Sequence, residues 1–532
     1  MPSVAQVGQT IRSAKRYQEI LRVLVRYGFE EFIAETKLDK WLGKGRSFVG
    51  LAESQPEKRH LPRAVRLRGC LEELGPTFIK LGQILSTRPD LVPEEWAEEF
   101  KKLQSDAPAL PFEFIQPQLK QEFGPKLEQL FSHIDPTALA AGSMAQVHRA
   151  TLSSGERVVV KVLKPDVRHK TETDMEVLRG LAEFLQRHFT ELGYSPTEVV
   201  KEFARELKKE VNLLHEGRST DRLRKYFEKE PHIHFPTVYW EASTRNVLCM
   251  EEIQGTLLST ADLHQFSESD REQIVRNGTD AVLRQCLEFG FFHADPHPGN
   301  IFVLPNNDIC FIDCGMTGHI DRATSELLAD LIAGVITGQL DRVIEIIVSF
   351  TTTDPAIAEQ RTFRQDVWEF ISRFEASSLD SLDIGVLLEE FFALLRRYRM
   401  RLPSDLVFLI KAITTIESVG EQLVPSFDLV GYMQPYVEDL ISKRYGIGAL
   451  RRRFESTVFQ YARLAEDLPR ELHGLFAQLR GNHFSIGLEH KKLDRLTDTI
   501  EHSSRNIAYA LIICGLVVGA AILVLAGGMA SE

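Results

Sequence analysis

Three oxygen-bearing side chains, Asp295, Asn300 and Asp313, flank two short apolar runs, Ile301-Phe302-Val303-Leu304 and Ile309-Cys310-Phe311-Ile312. Carboxylates and an amide carbonyl are hard ligands of the kind magnesium takes. The runs are joined by Pro305-Asn306-Asn307-Asp308, a turn composition, so the stretch from His293 to Gly315 reads as a β-hairpin with both polar loops at one end. That geometry suits the phosphates of a nucleotide and their metal. The same stretch holds His293, His297, Cys310 and Cys314, which are zinc-ligand types. The histidines sit in a Pro-rich loop and Cys310 falls on a strand facing the core, which disfavours zinc.

Asp295 and Asn300 have the spacing of a protein-kinase catalytic loop, in which the Asp accepts a hydroxyl proton and the Asn holds one magnesium. Asp313-Cys314-Gly315 stands where kinases carry Asp-Phe-Gly. Upstream, Val158-Val159-Val160-Lys161-Val162 is a strand with one lysine inside an apolar run. A buried lysine costs several kcal/mol unless paired, so Lys161 is expected to bind phosphate and an acidic helix partner. Glu210 and Glu216 are both candidates for that partner. Ala140-Ala141-Gly142-Ser143 followed by an alternating strand through Val147 makes a loop whose backbone can approach phosphates closely. Val247 to Gly255 reads as a strand and inter-lobe hinge, with backbone groups around Met250, Glu251 and Glu252 toward an adenine edge. Residues 113–135 read as a helical connection, 262–290 as a helix leading into the catalytic loop, and the chain from Thr317 to about Arg505 as almost wholly helical.

Residues 61–112 contain Gly75-Pro76, a break with Pro placed for a helix start, then Phe78-Ile79-Lys80-Leu81-Gly82-Gln83. Lys80-Leu81-Gly82-Gln83 resembles the Lys-x-Gly-Gln signature of the UbiB family of atypical kinases, associated with coenzyme Q (ubiquinone) biosynthesis. The resemblance spans roughly residues 10–430. It implies that the Lys80 helix belongs to an extension folded over the nucleotide pocket, where a protein kinase would receive a protein substrate, with Lys80, Gly82 and Gln83 lining the site. It also implies that residues 140–143 replace the Gly-rich loop by an Ala-rich one, from which Gly142 departs, and that Asn212 stands where the family has Asp, weakening any contact with Lys80. Val159 replaces a smaller residue and would narrow the adenine slot.

The implied architecture is α+β, a two-lobed protein kinase-like fold with a helical N-terminal extension and a C-terminal transmembrane helix. The expected segments are an amphipathic N-terminal part (1–60), the extension (61–135), an N-lobe (136–255), a C-lobe (256–430), a helical region (431–504) and the membrane helix (505–528). Mg2+ and ATP or ADP are the implied cofactors. Asp295, Lys161 and Lys80 are the catalytic candidates, and Asn300 and Asp313 the metal ligands.

At 532 residues two or more domains are expected, and 43% apolar with 26% charged residues is ordinary for a folded protein. The net charge of −12 argues against a generic nucleic-acid binder, and six scattered cysteines read as reduced thiols. Ile11, Ala14, Tyr17, Leu21, Leu24, Val25 and Phe32 recur at helical spacing, an amphipathic helix that packs on the protein or touches a membrane. Ile507 to Ala526 is free of charge and, at about 30 Å as a helix, long enough to cross a bilayer. Lys491, Lys492, Arg495 and Arg505 precede it, which keeps the large soluble part on the cytoplasmic side of a bacterial inner membrane or an organelle membrane. Gly515 and Gly519 would let two such helices pair as a homodimer. Membrane lipid and ubiquinone precursors or their biosynthetic enzymes are the expected partners. The absence of an Ala-Pro-Glu element after Asp313 favours a small or lipid substrate, or plain ATP hydrolysis. The alternatives are a nucleotide-sensing, lipid-handling scaffold and a genuine protein kinase.

Overall fold

The computed structural model describes residues 4–29, 60–88, 91–103, 108–188, 195–336, 338–351, 355–376, 384–429, 431–433 and 436. The expected membrane helix, the region 437–504 before it and the whole of the segment 30–59 lie outside the described residues. Among the described residues no helix is long and apolar enough to cross a membrane.

Helix α1 (Val4–Arg26) is followed by α2 (Arg63–Leu74), α3 (Pro76–Ser86) and α4 (Glu94–Lys101). Gly75, at φ 96°, ends α2 and starts α3, a backbone setting that favours glycine, and Pro76 opens the next helix as its sequence predicts. Helix α1 is not left to solvent along its described face. Ile20 and Val23 are buried with Cys70, Leu71, Leu74, Phe78, Phe100 and Leu103 of the extension. Arg16 also reaches across, with its Nε 2.6 Å from Asp174 Oδ1 and an Nη donating to Leu74 O at 2.6 Å.

After α5 (Phe112–Phe123) and two short helical turns, Gly124–Lys126 and Leu127–Leu130, β1 (Phe131–Ala141), β2 (Ala145–Leu152) and β3 (Arg157–Leu163) form a meander. The helical connection expected through residue 135 thus ends at Leu130, because Phe131 to Ile134 pair with Ala150 to Leu152. Next come α6 (Val167–His188), α7 (Pro196–Glu210), α8 (Leu213–Tyr226), β4 (Ile233–His234) and β5 (Val247–Glu251), the last joining the sheet in the order β1-β2-β3-β5. Strand β3 alternates: Val158, Val160 and Val162 are fully buried against Ile115 and Leu119 of α5. The same period of two turns Val159 and Lys161 to the opposite face.

The second lobe opens with β6 (Thr256–Leu257) and α9 (Glu268–Leu283), which runs on into a π-helical turn, Arg284–Phe289, closed by left-handed Gly290. Then come β7 (Phe291–His293), β8 (Ile301–Val303), β9 (Ile309–Phe311) and β10 (Thr317–His319). β8 and β9 pair antiparallel with Ile301 opposite Phe311, the expected hairpin. Thr317–His319, read as the start of the helical region, is instead a strand because it pairs with Phe291–His293. Among the described residues the helices α10 (Arg322–Ile336), α11 (Leu340–Phe350), α12 (Arg361–Ala376), α13 (Ile384–Arg397) and α14 (Ser404–Leu423) follow. One apolar cluster runs from Phe292 and Phe311 through Ile346 and Phe363 to Val407, Phe408 and Ala412, so the hairpin and the late helices share a core.

Candidate functional site

The hairpin register places Asn300 and Ile312 side by side, and Ile312 N–H donates to Asn300 O at 2.9 Å. Asn300 and Asp313 therefore emerge at the same open end of β8 and β9. His293 ties their loops together. Its Nδ1 accepts from Asp295 N–H at 3.0 Å and its Nε2 donates to Ile312 O at 3.1 Å, which fixes the neutral tautomer. Burial pushes its pKa down, consistent with an uncharged ring. Gln285 Oε1 accepts from His293 N–H at 2.9 Å, so the π-helical turn anchors this loop.

Lys161 reaches the hairpin from the other lobe. Its ammonium lies 2.7 and 2.8 Å from the two carboxylate oxygens of Glu216 and 3.3 Å from Asp313 Oδ1. Of the two candidate partners Glu216 takes Lys161, while Glu210 pairs with Lys80 at 2.8 Å. Glu216 heads α8, which is packed on β5, and Thr220 one turn later donates to Glu216 O. Protein kinases need a Lys–Glu pair and a metal-binding Asp in place together; here the Lys161–Glu216 pair is formed, with Asp313 beside it.

The charges support one another. Burial opposes the charge on Lys161, yet Asp313 and Glu216 more than offset it and its pKa is raised. Burial also disfavours ionised Asp313, but Lys161, Lys80 and His293 hold it down to about 2. Glu216 is pushed up to about 7, by burial against the pull of Lys161 and with the help of Asp313. Lys80 is raised in spite of its burial by Glu210, Asp313 and Asp295, which puts the Lys80 helix in the field of the hairpin end. Asp313 has φ 54°, a left-handed backbone rarely seen outside glycine and one that Asp tolerates better than most. A Cβ at Gly315 would lie 3.1 Å from Asp313 Oδ1, so a side chain there would press on that carboxylate.

The Lys-x-Gly-Gln residues divide the labour. Lys80 faces Glu210, and Gly82 and Gln83 pack the helix against its neighbours. A Cβ on Gly82 would lie 2.1 Å from Leu103 Cδ1 and 2.9 Å from Leu71 Cδ1, and Gln83 Nε2 donates to Leu103 O at 3.2 Å. Asn212 precedes α8 with its side-chain oxygen buried and without a hydrogen-bond partner among the described residues.

Ala140 and Ala141 end β1, and Gly142 and Ser143 make the turn to β2, closed by Gly142 N–H donating to Ala145 O at 2.8 Å. Met144 is buried in the same apolar cluster as the extension, so this loop is gripped from above. Val147 lies opposite Lys161 and Val159 opposite Met250, which gathers Val147, Val159, Lys161 and Met250 around one slot. Glu251 and Glu252 have their N–H groups engaged by Thr237 O and Arg157 O, and Glu252 is paired with Arg149 and Arg157. Cys310 is buried on β9, and Cys314 is buried in the core beside Thr220.

One charged group near the hairpin was not anticipated. Lys411 of α14 places its ammonium 2.7 Å from Asp295 Oδ1, and this contact, against burial, holds the Asp295 carboxyl below the usual range. The signal was available: Lys411 interrupts Leu406-Val407-Phe408-Leu409-Ile410, just as Lys161 interrupts its strand.

A metal fits the donors present. The Asn300 amide donates through Nδ2 to Asp295 O at 3.1 Å, which leaves its oxygen as the acceptor, and Asp313 is ionised. Asn300 and Asp313 would hold Mg2+, which supplies charge neutralisation for phosphates.

Comparison with known proteins gives the same outline. Residues 102–347 match an ABC1 atypical kinase-like domain and residues 367–428 a UbiB helical domain. The chain is 31% identical to an uncharacterized protein of Synechocystis, over 91% of this chain and 84% of that protein. It is 32% identical to the "Probable protein kinase UbiB" of Pseudomonas paraeruginosa over 85% of this chain and 86% of that one. The protein of the same name in Glaesserella parasuis is 30% identical, covering 96% and 93%. With the ABC1 and UbiB helical domains matched in order and relatives at this identity over most of its length, the chain belongs to the UbiB family of atypical kinases.

Proposed function

We propose that this protein is a membrane-anchored, Mg-ATP-dependent atypical kinase or ATPase that supports ubiquinone or related isoprenoid-lipid metabolism. The observation that carries the reading is the Lys161 ammonium, shared between Glu216 and Asp313 at the open end of the β8–β9 hairpin. In this reading Lys161 grips the nucleotide phosphates and Ala140 to Ser143 cradle them with backbone. Met250 and Glu251 border the base, and Asp295 orients the attacking oxygen. Catalysis is then mostly positioning and preorganised charge.

A lipid or water acceptor is favoured over a protein because Lys80, paired with Glu210, brings its helix into the field of Asp295 and Asp313, which supports an extension folded over the pocket. The membrane enters through the charge-free segment from Ile507 to Ala526 and its basic approach. Pairing of two chains through Gly515 and Gly519 belongs to the same reading.

The test is ATP turnover and nucleotide-induced thermal stabilisation, with and without Mg2+, anionic vesicles and a short-chain quinone-precursor mimic. Asp313→Asn is expected to lose the Mg2+-dependent part of both signals, and vesicles to raise turnover of the unaltered chain. Normal turnover by Asp313→Asn would reject the site. An unaltered chain indifferent to vesicles would reject the membrane link alone.

A further inference from the structure

The loop Asp295-Pro296-His297-Pro298-Gly299-Asn300 carries oxygen ligands and no lysine or arginine. The site's other two ammonium groups are engaged elsewhere, Lys161 with Glu216 and Asp313, and Lys80 with Glu210. The cation beside Asp295 comes instead from α14: Lys411 Nζ lies 2.7 Å from Asp295 Oδ1, with side chains 23% and 26% exposed. A pair so placed is neither sealed in the core nor fully solvated, and the cleft can reach it.

Helix α14 is itself held firmly at its start. Ser404 donates to Glu202 of α7, and Arg88, 3% exposed, bridges Glu202 at 2.8 Å and Leu402 O at 3.4 Å. His319 N–H donates to Asp405 Oδ1 at 3.0 Å. Ser404 and Lys411 are seven residues apart, so about two turns and about 10 Å of helix carry this grip to the lysine on the same face. Four elements from three parts of the chain thereby fix where one ammonium meets one carboxylate.

We infer that Lys411 is a positioning residue for the phosphoryl-transfer reaction, holding the Asp295 carboxylate in a single orientation toward the acceptor oxygen, so that the helical domain supplies part of the active site. The inference rests on the kinase-like reading of the site. Its physical reason is the concentration of negative charge: Asp295, Asp313, Glu216 and Glu210 converge there, and an unrestrained Asp295 would turn away from the others and from a bound triphosphate. Orientation of the acceptor is what this chemistry asks of the protein, and a displacement of about 1 Å can cost about a hundredfold in rate.

The experiment is steady-state ATP turnover by the full chain, with vesicles present, for Lys411→Gln, Lys411→Arg, Asp295→Asn and the double variant Asp295→Asn/Lys411→Gln. Lys411→Gln is expected to lower kcat by about tenfold to a hundredfold, with the KM for nucleotide and the nucleotide-induced rise in Tm retained. Lys411→Arg should recover most of kcat, and the double variant should be no slower than Asp295→Asn alone. An unchanged kcat in Lys411→Gln, or effects of the two substitutions that multiply, would overturn the inference. If Lys411→Gln does not fold, Lys411→Arg and the double variant, which leaves no unpaired charge, decide the matter in the same way. Failure of the underlying reading looks different: Asp295→Asn and Asp313→Asn would both turn over ATP normally.

Discussion

Glu216 has 6% of its side chain exposed and Lys161 17%, and the Lys161 ammonium is the counter-charge that Glu216 and Asp313 share. Removing one member of a buried pair leaves the other uncompensated, at a typical cost of about 3–5 kcal/mol. Lys161→Ala should therefore lower stability by about that amount in urea titrations, and should abolish nucleotide-induced stabilisation. Asp313 makes a second, pH-dependent contribution. Its folded pKa of about 2 lies below its ordinary 3.8, so the native state binds fewer protons there than the unfolded chain. That contribution is complete above pH 3.8 and disappears as pH falls toward 2. Acid unfolding followed by circular dichroism should show a shallower slope across this window in Asp313→Asn. An identical slope would mean that Asp313 is not held by Lys161.

Helix α3 owes its position to a missing side chain. Gly82 touches Leu71 and Leu103 where a methyl group would overlap both. Gly82→Ala should cost about 1–3 kcal/mol by overpacking, seen as a lower Tm. It should also tilt Lys80 off Glu210, lowering ATP turnover. Trimming the neighbour with Leu103→Ala should restore part of both. This element also marks what could be read in the chain beforehand. Gly75-Pro76 announced the start of α3, the Pro/Asn turn announced the β8–β9 hairpin, and one lysine in a valine run announced Lys161, because each is a local signal. The choice between Glu210 and Glu216 was not local. Both lie near the junction of α7 and α8, and the turn around Asn212 sends one carboxylate to Lys80 and the other to Lys161. Strand Thr317–His319 escaped for a similar reason, since its partner lies 24 residues upstream across a loop. Lys411 required knowing that a late helix passes beside residue 295.

Across the whole molecule, the extension, both lobes and the late helices are bound together within one compact unit, residues 1–446. Arg88 shows how. It lies in the extension, pairs with Glu202 of the first lobe and donates to Leu402 beside the last described helix. Arg88→Ala should thus weaken a three-way contact rather than one surface pair. The expected result is a loss of about 1.5–3 kcal/mol from the charge-assisted hydrogen bonds given up, accompanied by slower ATP turnover although Arg88 is not one of the candidate site residues. A surface-like loss under 1 kcal/mol would show that extension and late helices are independent. The chain beyond residue 505 belongs to the proposed membrane link, and a chain ending at residue 504 should keep its ATP turnover in solution while failing to float with vesicles.

The wide turn from Arg284 to Phe289 deserves its place because a helix that carries one extra residue per turn changes the phase of everything after it. Deleting Leu287 would let ordinary winding resume, and each residue in such winding swings the next by about 100°. Gln285 would then aim away from the His293 amide, and the strand leading to Asp295 would lose its mooring while every named ligand remained in the sequence. A shortened chain of that kind would keep every named site residue and, on the proposed reading, turn over no ATP.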